Sequence, residues 1–370
     1  MFTMHPTLLV GPADWDPTRM PREEFLGRIA ELWRACDSAI AGAIVYGDPR
    51  SHGALAYLTH TTPKLEACIG LIPRHGEPRL LVGGGANMVG AAKPLTWIET
   101  LAPLREAGAT IARWRDEMGG GALALVNGDA MPLRLRQGVE TALGGPPADA
   151  TDLVAGAMRR KSPRELALVR QACAGLHAAM WAMRVAQRAG KSVHEVVLTG
   201  ERAAWRRGAQ DVRSLCGREG QLAPFLMPDD APGDPLQVYV AVRHGGYWAE
   251  GFAVLSRSRQ PVQNEARAML DATVARMRPG LLHREVARSL AQSIGARRAH
   301  AVTQADFGHQ IGLALQEPES LNETSPAAFA AGEVYAVRVG LCDAGRSAIV
   351  SAMVAITQDG HDVLWRGADA

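Results

Sequence analysis

The segment Phe307-Gly308-His309-Gln310-Ile311-Gly312-Leu313-Ala314-Leu315-Gln316-Glu317-Pro318 decides how this chain is read. Two glycines bracket a histidine, an apolar run follows, and a polar pair closes it before proline. A strand or tight turn here presents His309 to a pocket, with glycine where the backbone comes close to another group. The rest of the chain has to supply the scaffold and the groups that meet this histidine.

The chain has 370 residues, 47% of them apolar, enough for two domains with substantial cores. Forty Lys and Arg stand against 38 Asp and Glu, interspersed. Basic residues do not cluster with aromatics, so no nucleic-acid partner is expected. The five cysteines, Cys36, Cys68, Cys173, Cys216 and Cys342, are scattered without metal-ligand spacing. That pattern predicts reduced thiols and a cytoplasmic protein. The N-terminus lacks the pattern of a signal peptide, and no apolar stretch is long enough to span a bilayer, so no membrane partner is expected.

The first 150 or so residues read as an α/β unit. Glu23–Cys36 is helical, with Phe25, Ile29, Leu32 and Trp33 on one face. Ala43–Tyr46, Ala67–Ile72, Arg79–Val82 and Ala122–Val126 are strands, punctuated by Gly47-Asp48-Pro49 and Gly76. Gly83-Gly84-Gly85 follows a strand but lacks the Lys-Ser/Thr of a phosphate loop. Gly144–Gly156, rich in Gly, Pro and Ala, reads as a linker. Two capping boxes follow, Ser162-Pro163-Arg164-Glu165 and Ser192-Val193-His194-Glu195, each opening a helix. A further helix spans Glu285–Ile294. His177, His194 and His283 read as surface or packing residues, and His300 as the end of an element. Leu236–Val242 and Trp248–Phe252 form a hairpin about His244-Gly245-Gly246-Tyr247, with Arg243 and His244 exposed beside the turn.

The His309 segment resembles the Gly-His-x-Ile-Gly-Leu motif of the aminopeptidase P, prolidase and creatinase family. Ile44–Pro49 and Ala56–Thr59 look like the N-terminal domain of creatinase and prolidase relatives. The resemblance implies an α/β domain over residues 1–155, which shapes the pocket and the dimer. An α+β pita-bread domain over 156–370 follows, with a curved antiparallel sheet and helices outside. It also implies a homodimer.

In metal-dependent members the pita-bread site takes two aspartates from one hairpin, a histidine and two late glutamates. Carried over, those positions fall on Tyr239, Glu250, His309, Arg338 and Ser351. Only Glu250 and His309 remain ligands, and a guanidinium cannot ligate at all. The expectation is therefore no metal and no cofactor. The Pro-His pair that contacts substrate in many relatives is Pro224-Phe225 here. The histidine expected seven residues after His309 is Gln316, with Glu317 following as in the family. Cys216 lies in a segment that borders the family's active site and reads here as a loop.

These residues predict a metal-independent hydrolase or lyase acting on a small, anionic, nitrogen-containing carboxylate. His309, Glu250, Glu317 and Tyr239 would be catalytic; Arg338, Gln316, Ser351, Phe225 and Cys216 would bind substrate. Arg338 would clamp a carboxylate through two hydrogen bonds, and its nearest internal partner would be Glu250. The alternatives are a catalytically dead binding or assembly protein, its old metal site plugged by Arg338–Glu250, and an atypical Xaa-Pro metallopeptidase.

Overall fold

The computed structural model describes residues 14–217, 222–224, 231–258, 260–298, 305–343 and 345–367. They gather into two compact units that part between Met158 and Arg159.

The first unit holds α1 (Arg22–Ala35), β1 (Ile40–Gly47), α2 (Gly53–Thr59), β2 (Cys68–Pro73), β3 (Arg79–Val82), α3 (Ala86–Ala92), β4 (Thr100–Pro103), α4 (Ala107–Glu117), β5 (Ala122–Val126), α5 (Leu133–Leu143), β6 (Ala148–Asp149) and α6 (Thr151–Met158). Its strands make one sheet in the order β4-β3-β2-β1-β5-β6. β2 runs antiparallel to its neighbours; the β1–β5, β3–β4 and β5–β6 pairs are parallel. The continuous apolar runs of β1 and β2 are buried along their length because helices cover such a sheet. Ile44, Ile69, Leu71 and Leu125 pack with Ile111 and Trp114 of α4. The expected linker is a correction: Gly144–Gly156 contains β6 and most of α6. Asp149 accepts hydrogen bonds from the Thr151 amide at 2.9 Å and the Thr151 hydroxyl, starting a helix that buries Val154 and Met158. The composition hid that local Asp-x-Thr signal.

The second unit begins with the two capping boxes. Ser162 receives the Glu165 amide and Glu165 the Ser162 amide, opening α7 (Pro163–Arg188). Ser192 and Glu195 do the same for α8 (Val193–Arg206). Next come β7 (Asp211–Gly217), β8 (Ala223–Pro224), β9 (Leu236–His244) and β10 (Tyr247–Leu255), an antiparallel sheet in the order β10-β9-β7-β8. Gly245 and Gly246, at φ 56° and 88°, make the hairpin turn that a side chain would strain. Helices α9 (Pro261–Val274) and α10 (His283–Ile294) precede a second antiparallel sheet, β11 (Gly308–Gln310), β12 (Val334–Asp343), β13 (Arg346–Ile356) and β14 (His361–Arg366), paired in sequence order.

Each sheet buries one face under helices. α7 lies on β9 and β10. α9 and α10 cover the face of β12 and β13 that carries Tyr335, Val337, Val339, Val350 and Ala352. Because side chains alternate along a strand, Arg338 and Ser351 project from the opposite face. The sheets meet at β10 and β13. The Phe252 amide donates to Ser351 Oγ at 2.7 Å. Gln237 donates to the carbonyls of Ala253 and Ile349 at 2.9 and 3.0 Å and receives the Ile349 amide at 2.8 Å. None of the five cysteines forms a disulfide. No helix among the described residues is long and apolar enough to cross a membrane.

Candidate active site on the facing sheets

Register fixes which side chains meet. Tyr239 stands opposite Phe252 and Leu215, and Ala241 opposite Glu250 and Arg213. Strand alternation therefore puts Tyr239, Glu250 and Arg213 on one face, away from α7. His309 is opposite Ala336, and Arg338 opposite Ser351. Gly308 lets β11 lie this close: its φ is 147°, and a Cβ there would collide with the Ala336 carbonyl.

The cluster is buried, with Tyr239, Glu250, His309, Arg338 and Ser351 each no more than 9% exposed. The Tyr239 hydroxyl donates to Glu250 Oε2 at 2.7 Å. Glu250 Oε1 lies 3.5 Å from His309 Nε2 and 3.8 Å from the Arg338 guanidinium. His309 Nε2 is also 3.2 Å from the Leu315 carbonyl, and Nδ1 is 3.5 Å from Arg338. Arginine can only donate and a carbonyl can only accept. Nδ1 is therefore the acceptor, and Nε2 carries the proton toward Leu315 and Glu250. Burial, with Arg338 adding to it, lowers the His309 pKa to about 4, so the ring is neutral.

Burial raises the Glu250 pKa to about 6, against the Tyr239 hydrogen bond and the Arg338 charge that favour its ionised form. Tyr239 is pushed well above its usual range, by burial first and then by the Glu250 charge and hydrogen bond. The result is a protonatable carboxyl near neutrality, a phenol that stays protonated and an imidazole that stays neutral.

Several expected roles change. The partner of Arg338 is Asp306, which takes one terminal nitrogen in a buried ion pair; Glu250 is too far away for a hydrogen bond. A carboxylate clamp using that nitrogen is therefore already occupied from within. Arg338 Nε–H is buried with no hydrogen-bond partner. The ion-pair partner of Glu317 is not His309. Glu317 pairs with Lys161 Nζ at 2.5 Å, both fully buried, beneath Gly312. Gln316 is exposed, unlike the buried cluster. Cys216 sits on β7 opposite Val238, so it faces the α7 side, away from Tyr239. Ser351 is present, but its Oγ receives the Phe252 amide. Phe225 and His300 lie outside the described residues. Arg243, expected exposed, is buried over the Trp248 ring. His283 is fully buried between Phe329 and Tyr335, a packing role.

The residues do not fit the family's metal pair. Phenol, guanidinium and hydroxyl stand at three of its five positions, and the cation of Arg338 lies near Glu250, the one carboxylate that remains there, and against Asp306. Among the described residues, no three His, Cys, Asp or Glu side chains are placed to hold a metal ion.

Sequence reading missed Asp306 and Arg213. Asp306 stands one residue before the decisive segment, and nothing local links it to Arg338. Arg213 was hidden because the segment that follows it, with Cys216, was read as a loop and the strand that holds both was not foreseen.

Comparison with known proteins agrees with this architecture. The family model described as metallopeptidase family M24 matches residues 167–358, more than half of the chain. Among solved structures, an Xaa-Pro dipeptidase from Bacillus anthracis superposes with a TM-score of 0.74 at 18% identity, covering 94% of this chain and 98% of that one. An X-Pro aminopeptidase from Thermotoga maritima MSB8 gives 0.76 at 16% identity, covering 91% and 96%. A prolidase from Pyrococcus horikoshii OT3 gives 0.71 at 16%, covering 94% and 99%. No curated protein sequence matches. At these identities the structural likeness concerns the fold, and it supports the pita-bread architecture.

Proposed function

The chain belongs to metallopeptidase family M24, and from that premise we propose that it is a metal-independent hydrolase of a small nitrogen-containing carboxylate, with Glu250 as its acid–base group. The observation that carries this reading is the state of Glu250. Arg338 is neutralised by Asp306, so Glu250 is not needed as its counter-ion. A buried carboxyl without a dedicated cation, its pKa raised to about 6, is costly to a scaffold and suited to proton transfer near neutral pH.

In this reading Glu250 takes a proton from water as the water oxygen bonds to the substrate carbonyl carbon. It then returns that proton to the nitrogen as the C–N bond breaks. Tyr239 holds the carboxyl in place through its 2.7 Å hydrogen bond. The unpartnered Nε–H of Arg338 donates to the oxygen on which negative charge develops. His309, neutral with its proton on Nε2, orients Glu250 and moves no proton itself.

The test is turnover of N-acyl amino acids and dipeptides by chelator-treated protein across pH 4–9. A rate limb near pH 6 is expected, with a roughly 10²–10⁴-fold loss in Glu250→Gln. A variant as active as the parent, or activity that returns only with added divalent metal, would overturn the reading.

A second reading, a binding or assembly protein with an inert centre, draws on a different observation. Both His309 nitrogens and one Arg338 nitrogen have internal partners. No hydrolysis of any N-acyl amino acid or dipeptide, with the fold intact, would favour it.

A further inference from the structure

We propose that Arg213, seated on the ring of Trp248, is the subsite that receives the substrate's carboxylate; this rests on the hydrolase reading above. Arg338 cannot easily serve, since Asp306 already neutralises it. The site face offers another guanidinium. Arg213 stands in the same cross-strand row as Ala241 and Glu250. Ala241, opposite both, is the small residue between them in that row. The guanidinium lies 4.7 Å from the Trp248 ring centroid, a flat seat that restricts its rotation. Trp248 is itself fixed: it is 2% exposed, and its amide donates to the Gly312 carbonyl at 2.8 Å.

The seat holds the cation, but little satisfies it. The Arg213 side chain is 53% exposed, and its ion-pair partner is Asp211, two residues away on the same strand, at 3.4 Å. An exposed contact of that length is worth little and yields readily to a better acceptor. Arg213 is also close enough to act electrostatically on Tyr239, as Arg338 does from the other sheet. Tyr239 thus lies within the field of two guanidiniums of different standing. One is buried and neutralised internally; the other is half-exposed and seated on an indole. A substrate anchored by its carboxylate on Arg213 places its amide toward Glu250 and the Arg338 Nε–H. The class that fits is an N-acyl or N-alkyl amino acid with a free carboxylate.

The test uses N-acetylglycine and N-acetylglycinamide as probes, with binding followed by calorimetry on the full chain. The parent is expected to bind the acid and not the amide. Arg213→Gln should weaken acid binding at least tenfold with its melting temperature unchanged, and Arg213→Lys should recover part of the loss. Equal binding by Arg213→Gln and the parent overturns the subsite while leaving the Glu250 reading intact. Equal affinity for acid and amide does the same. Binding with the expected Arg213 dependence, but without the pH limb of Glu250, sinks the hydrolase reading and leaves the anion site standing. Failure of the parent to bind either probe overturns the proposal.

Discussion

Glu250 and Glu317 are both buried carboxylates that sequence reading sent to one site, and the fold gave them different company. Glu317 has a cation of its own, Lys161 Nζ at 2.5 Å. Burial raises its pKa, and the lysine charge works against that rise. Glu250 has a phenol at 2.7 Å, and the nearest guanidinium, at 3.8 Å, is committed to Asp306. A buried acid with a dedicated counter-ion is part of the frame. One held by a neutral donor keeps a proton equilibrium within reach of neutral pH.

The strongest way to break this contrast is to remove each cation. Lys161→Met strands Glu317 and should cost roughly 3–5 kcal/mol in urea unfolding, with Lys161→Met/Glu317→Gln recovering much of it. Arg338→Met should strand Asp306, so its rescue should come from Asp306→Asn and not from Glu250→Gln. Rescue by Glu250→Gln instead would restore the Arg338–Glu250 pairing that the distances argue against.

A smaller effect tests the proton equilibrium. The folded pKa of Glu250 is raised to about 6 from an ordinary 4.5. The stabilisation from its bound proton is complete below about pH 4.5 and lost as pH rises through about 6. Relative to the parent, Glu250→Gln should therefore gain roughly 2 kcal/mol between pH 4 and pH 8. A pH-independent difference would contradict the raised pKa. His309 runs the other way. Its pKa is lowered to about 4, so its contribution is present above about pH 6.5 and lost as pH falls through about 4. Acid unfolding of the Glu250→Gln variant should expose that second transition.

The smallest effects calibrate the frame. Ser351→Ala leaves the buried Phe252 amide without its acceptor and should cost roughly 1–3 kcal/mol. Ser162→Ala removes one capping box and should cost about 1 kcal/mol. Neither should move the pH limb assigned to Glu250. A shift in either variant would mean that the frame and the reactive carboxyl are coupled.

What was legible in the sequence is what short-range rules govern. The capping boxes at Ser162 and Ser192 involve neighbours three residues apart, and both are present. The hairpin that carries Tyr239 and Glu250 was legible because its turn needs the two glycines. The choice of partners was not. Lys161 and Glu317 are 156 residues apart, and Asp306 and Arg338 are 32 apart. Like signs repel and opposite signs attract at any spacing, so sequence alone left Arg338 free to pair with Glu250. Cys216 and Arg213 show a subtler gap. Once β7 is known to be a strand, alternation sends Arg213 to the site and Cys216 to the helix side. Read as a loop, the segment offered no such parity.

Gln237 gives the two sheets a shared clock. The Ile349 amide hydrogen ends on its side-chain oxygen, 112 residues away in sequence and in the other sheet. Deuterium uptake at that amide therefore times the parting of one sheet from the other. If it exchanges faster than the ladder amides of β12 and β13, the halves breathe apart while each stays folded. If it exchanges with them, a single amide side chain helps to make two sheets one cooperative body.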